Sequence, residues 1–451
     1  MSKMKKTGTA IVSASLALTM LAACGSNSGK SADSGKNQEP QQPSQQQPVQ
    51  EKPPEPKTIT IYAINGDTEE SFNLRFGDAI RKKYPHYTLN YIRNGSGNTL
   101  ADMVASGRKY DITYHAIGFY ENFVKPFGLE YDMTELIKKH GVDLNRFEQT
   151  SIEAIKQVGN GKIYSIPVYG NNLILYYNKA VFDKFGVAYP KDGMTWDEVF
   201  DISRKLTRED GGVKYYGIAF NPTFTIRMNQ MSIPNANVEA NTPTINTDER
   251  WKTFFDQYFV GWRNALGGGN FEKAPDQVMF LKDKNVGMSV YLSSVITISP
   301  EYRDFDWDMV ALPSLKDNPG VGSQINSINF GIASNSDNKD DAMIILKFLT
   351  SDEHQATLSK TGVMPVLKDE SIRKMLGSES AYKGKNFQAI FYNKPAPIPP
   401  KALYDSNMVS TYAKHGMQVF QGTVDVNTAL RNAEEEAKQV IADYLKTYSG
   451  K

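Results

Sequence analysis

The chain of 451 residues holds one cysteine, Cys24, so no intrachain disulfide exists and stability must come from buried core. Histidine is scarce, at five, and neither HExxH nor any similar metal-ligand spacing occurs. No G-x-S-x-G elbow, phosphate-binding P-loop or EF-hand loop is present. Charge of one sign is also missing: 51 basic side chains face 50 acidic ones, which argues against a nucleic-acid partner. No apolar run is long enough to span about 30 Å of hydrocarbon. The longest near the start, Ala10 to Leu21, follows Lys3, Lys5 and Lys6 and ends at Leu21-Ala22-Ala23-Cys24-Gly25.

That combination reads as an export signal over 1–23. Small residues before a lone cysteine resemble a lipobox, which implies that Cys24 is acylated and holds the protein at the outer face of a cell membrane. Two acyl chains anchor stably, at about 0.8 kcal/mol per buried CH₂. A single-membrane bacterium is the expected setting. Without residues 1–23 the chain carries 48 basic and 50 acidic groups. Residues 25–57 are Gly, Ser, Gln and Pro with almost nothing to bury, a tether whose coil dimension is about 30 Å.

The remainder alternates strand and helix patterns. Thr58 to Ala63, Tyr87 to Ile92 and 110–115 read as strands; Phe72, Phe76, Ala79 and Ile80 mark the inner face of a helix capped by Asp67. Leu173 to Tyr177, Lys214 to Phe220 and Val286 to Leu292 follow the strand pattern. Thr195 and Glu198 form a capping box, and 339–350 and 424–447 have helical periodicity. This alternation predicts α/β architecture with mainly parallel, doubly wound sheets, whose ligands bind at strand carboxyl ends. Adjacent Tyr176 and Tyr177 point to opposite sheet faces, so they do not make one metal site.

Several words of the sequence, in order, resemble the extracellular solute-binding proteins of bacterial ABC importers, sugar-binding type. They are GKIYSIPVYGNNLILYYNKAVFDKFGV (161–187), MTWDEVFDISRKLT (194–207), FGIASNSDNKDDAMIILKFLTSDEHQATLS (330–359) and TVDVNTALRNAEEEAKQVIAD (423–443), with INGD at 64–67 and YDITYH at 110–115. The resemblance implies a two-lobe periplasmic-binding-protein-like (type II) fold, each lobe a sheet flanked by helices. Residues 58–169 plus 328–370 would form one lobe and 170–327 plus 371–451 the other. Crossings would fall near Tyr169–Asn172, near Asn326–Asn329 and within 367–376.

It also implies a non-enzymatic receptor that captures a neutral solute, an oligosaccharide by preference, and passes it to permease subunits. A monomer is expected, with no cofactor and no metal. Cleft candidates carried over by position are Asn65, Asp67, Tyr114, His115, Asn171, Asn221, Thr223, Tyr291, Tyr404 and Tyr412. Aromatic faces suit sugar C–H surfaces and short amides suit hydroxyls. Each has a structural alternative: an N-cap for Asp67, a hydrogen-bonded core histidine for His115, a turn for Asn171, core or surface for the three tyrosines of the second half. Where maltose-binding relatives place an aromatic and acids, this chain has His115, Asn171 and Asn221, which disfavours linear maltodextrins and polyamines. Two further readings belong to other classes, a surface lipoprotein that hydrolyses glycans and a sensory lipoprotein coupled to a membrane kinase.

Overall fold

The computed structural model describes residues 55–448, apart from Gly66, Gly118 and 120–122. The export signal, Cys24 and most of the tether lie outside the described residues.

Two five-stranded sheets organise the body. The first has the order β2-β1-β3-β12-β4, from β1 (Lys57–Ala63), β2 (Tyr87–Arg93), β3 (Ile112–Ala116), β4 (Ser165–Tyr169) and β12 (Ile328–Ile332). The second has the order β11-β5-β10-β7-β6, from β5 (Leu173–Asn178), β6 (Arg208–Asp210), β7 (Val213–Phe220), β10 (Val286–Leu292) and β11 (Trp307–Ala311). A two-stranded ribbon, β8 (Ala236–Asn237) with β9 (Thr242–Pro243), stands apart.

The sheets are mixed, which corrects the expectation of mainly parallel ones. β1 runs parallel to β2 and β3, but β12 is antiparallel to both β3 and β4. In the second sheet only β10 and β7 are parallel. The reason is connectivity: β5 and β12 enter their sheets from the opposite sheet, so their direction is set by the crossing and not by a β-α-β return.

Burial follows the pleat. All six residues of β5 are buried because both faces are covered. Leu173, Leu175 and Tyr177 face one core with Trp196, Phe220 and Trp262, while Ile174 and Tyr176 face another with Tyr302 and Trp307. Tyr176 and Tyr177 therefore do diverge. Pro167, which lacks an N–H, sits on β4, an edge strand where that loss is tolerated.

Helices close the faces. Phe72, Phe76 and Ile80 are fully buried against the first sheet along Glu69–Lys83, which includes a π-helical turn at Asn73–Gly77. Its N-cap is Thr68, whose hydroxyl accepts from Ser71 N, and not Asp67. Asp67 is thus left outside the cap. Trp196–Leu206 begins with the expected Thr195–Glu198 capping box. Val426–Tyr448 buries Ala429, Leu430, Ala433, Ala437 and Ile441 on one stripe.

Two stretches pass from sheet to sheet, between β4 and β5 and between β11 and β12, and the segment at Met364 runs beside the first. Gly170 N donates to Met364 O at 2.9 Å, and Asn326 N donates to Asn171 O at 2.8 Å. Ser323 Oγ, just before the second passage, accepts from Leu173 N at 2.9 Å.

Candidate functional site

A groove lies between the sheets, floored by the passage at Gln324–Asn326. Its inner part encloses only about 10 Å³ and is lined by Ile117 and Phe119 beyond β3, Arg227 from the helix Pro222–Arg227, Asn326, Lys401 and Asp405. An outer part shares Phe119 and Arg227 and is bounded by Phe123, Ser410 and Thr411. Phe119 and Phe123 stack with ring centroids 5.7 Å apart at 10°, an aromatic wall on the first-sheet side.

Charge in the inner groove is unevenly paired. Lys401 Nζ lies 3.5 Å from Asp405 Oδ2, both side chains 5% exposed. The other Asp405 oxygen accepts from Asn235 Nδ2 at 3.1 Å. Arg227 has its Cζ 5.2 Å from the Phe119 ring centroid and makes no salt bridge among the described residues. Burial pulls its guanidinium below the usual range, with Asp405 only partly opposing. Asn326 Oδ1 is buried and has no protein hydrogen-bond partner.

The ten residues singled out from the sequence divide by environment. Asn65 Oδ1 accepts from Ala116 N at 2.8 Å, tying the end of β1 to that of β3. Asp67 is half-buried nearby, its carbonyl accepting from Tyr91 OH. Tyr114 is fully buried against Phe72, Phe76 and Phe330. Burial, reinforced by Tyr169 and Asp67, pushes its phenol well up. His115 is fully buried opposite Asn329 and lines a separate small cavity with Ile155 and Tyr164; burial lowers its pKa to about 3. It is therefore a neutral imidazole inside the first lobe.

Asn171 lies in the first passage, with Oδ1 accepting from Ser294 N at 3.0 Å. Asn221 caps the helix Pro222–Arg227, its Oδ1 accepting from Phe224 N at 3.0 Å, with Thr223 half-exposed in the first turn. Tyr291 is half-buried at the end of β10, edge-on to Phe224 at 5.4 Å. Tyr404 and Tyr412 are core residues: the first donates to Asn241 Oδ1 at 3.1 Å, the second to Asn235 O at 2.6 Å beside Trp251. In this arrangement neither ring offers a face to the groove.

The groove's own residues include several that the sequence reading passed over: Phe119, Arg227, Asn326 and Lys401. Nothing local marks them, since an arginine at a helix end is ordinary. Arg75 was also missed. It is buried on the helix Glu69–Lys83 and bridges the sheets, donating from Nη1 to Tyr169 OH at 3.0 Å and from Nη2 to Thr297 Oγ1 at 2.8 Å. Among the described residues no group of three or more metal-ligating side chains occurs, and no helix is long and apolar enough to cross a membrane.

Solved structures share this architecture. An ABC substrate-binding protein of Listeria monocytogenes, solved in complex with cycloalternan, matches with TM-score 0.68 and 17% identity over 86% of this chain and 100% of its own. The cyclic α-maltosyl-1,6-maltose binding protein of Arthrobacter globiformis matches with TM-score 0.65 and 19% identity, over 86% and 100%. At that identity the likeness establishes the two-lobe binding-protein fold. In sequence, the sn-glycerol-3-phosphate-binding periplasmic protein UgpB of Agrobacterium fabrum is 32% identical over 75 residues, 16% of this chain. The match spans 17% of that relative's length. The family model for bacterial extracellular solute-binding proteins matches residues 65–356, more than half of the sequence, and the chain belongs to that family.

Proposed function

We propose that the protein is a lipid-anchored receptor outside the cell, which captures a sugar or oligosaccharide between two lobes and delivers it to the permease of an ABC importer. The observation that supports this reading is the groove over the passage at Gln324–Asn326, where Asn326 and the Phe119–Phe123 aromatic pair come together. Phe119 and Phe123 suit the apolar side of a sugar ring, and Asn326 Oδ1 suits a hydroxyl. The solved neighbours, one holding cycloalternan and one a binding protein for cyclic α-maltosyl-1,6-maltose, support the same reading. Asn65, Asp67, Asn171, Thr223 and Tyr291 remain the sequence-derived contacts in this proposal. The lobes divide as 58–169 plus 328–370 against 170–327 plus 371–451.

Closure supplies the mechanism. Solute on one lobe recruits the other, because contacts to both exist only in the closed form. The closed monomer then docks on the permease, while acylated Cys24 and the tether keep it near the membrane.

A thermal-shift screen against a glycan library tests the reading. A sugar at 100 times its dissociation constant raises stability by about 2.7 kcal/mol. A library in which no sugar shifts the melt, while amino acids or peptides do, refutes it. Cys24→Ala is expected to move the protein from the membrane fraction to the medium; retention in the membrane refutes the anchor.

A further inference from the structure

We propose that the solute is an acidic sugar, and that Arg227 receives its anionic group, a carboxylate or a phosphate. This rests on the sugar reading above and names the charge class of its ligand.

The argument starts from pairing. A cation withdrawn from water is ordinarily matched by an anion or by several acceptors, because its lost hydration is costly. The inner groove holds Arg227, Lys401 and Asp405. Asp405 is fully engaged, one oxygen near Lys401 and the other on Asn235. One positive charge is left over, and it is the guanidinium.

Orientation adds to the argument. Arg227 lies over the Phe119 ring, its Cζ 5.2 Å from the centroid, a cation–π contact. Its guanidinium makes no salt bridge among the described residues, and the fork of N–H donors matches a planar or tetrahedral anion. Stacking also restrains the side chain in advance, which reduces the entropy lost on binding.

A neutral sugar fits this arrangement less well. A neutral sugar seated here would displace water from the half-buried Arg227 while supplying no opposite charge. The aromatic wall of Phe119 and Phe123 and the Asn326 acceptor remain suited to the ring and hydroxyls of the same molecule. Acidic group and sugar body thus have separate partners within one groove.

The test is titration calorimetry on the purified full chain with matched pairs: digalacturonate against digalactose, and glucose 6-phosphate against glucose. The acidic member of at least one pair is expected to bind about tenfold or more tighter, as for a hydrogen-bonded charge pair. The uronate and phosphate arms tell the two anions apart. Arg227→Gln is expected to bring that preference close to one, and Arg227→Lys, which keeps charge without the fork, to an intermediate value. Thermal unfolding of both variants checks that they fold.

Equal or tighter binding of the neutral members overturns the inference and leaves the sugar reading intact. Loss of affinity for both members of a pair with the preference preserved also overturns it, making Arg227 a lobe latch on Phe119. Absence of binding by every sugar, charged or not, overturns both readings.

Discussion

Arg75 and Thr297 stand on different lobes and meet through a 2.8 Å hydrogen bond from Nη2 to Oγ1. The threonine hydroxyl donates in turn to Ser294 O at 2.7 Å, which aims its lone pairs at the guanidinium. The other Arg75 nitrogen holds Tyr169 at the start of the first passage. The contact therefore links closure to the hinge.

Thr297→Val keeps the shape and removes the acceptor. Only the closed form suffers, since an open groove hydrates Arg75. Losing a hydrogen bond to a charged group costs about 1.5–3 kcal/mol, so ligand affinity should fall about tenfold or more. Small-angle scattering should show a larger radius of gyration for the variant. Unchanged affinity and radius would mean that this contact does not favour closure.

Asn171 is expected to matter to the fold whether or not it touches solute. Asn171→Ala strips the acceptor from buried Ser294 N and should cost about 1–3 kcal/mol in urea unfolding. Asn171→Asp retains an acceptor and should cost less. A stability loss equal in both variants would show that the Ser294 bond contributes little.

Gly416 lies inside the helix Asp405–Gln421, where alanine normally stabilises by about 1 kcal/mol. Here a Cβ would stand 2.2 Å from the Phe259 ring. Overpacking reverses the sign, and Gly416→Ala should destabilise by about 1–3 kcal/mol. A raised melting temperature would contradict this packing.

Acid should weaken the first lobe. Burial holds His115 at about 3 and His354 at about 4, against an ordinary value of 6.5. The unfolded chain binds their protons first, so the stabilisation is complete above about pH 6.5 and declines as pH falls toward the folded values. Each neutral imidazole contributes a slope approaching about 1.4 kcal/mol per pH unit in that window. His354→Gln should remove one such share from the pH dependence of urea unfolding. An unchanged slope would show that His354 does not protonate on unfolding.

Much of the architecture was legible because it rests on local periodicity. The alternation in LILYYN placed Tyr176 and Tyr177 on opposite faces, and Thr195 with Glu198 announced a helix start. Near neighbours were harder. Asp67 and Thr68 are both good N-caps, and it is the Thr68 hydroxyl that accepts from Ser71 N. Tyr404 and Tyr412 have the same composition as sugar-stacking aromatics, yet hydrogen bonds to Asn241 and Asn235 draw them into the core.

The amino-acid order by itself determined the strands, the helices and the faces each must bury, since those follow from side-chain spacing along a few turns. It also carried the family resemblance and the lone Cys24. Tertiary structure alone decided that Phe119, Arg227, Asn326 and Lys401 share one groove with Asp405, whose oxygens face Lys401 and Asn235. Those residues lie on separate elements, and no local repeat encodes which of them meet. Only the folding back of the chain between its two sheets brings Arg227 beside the Phe119–Phe123 wall.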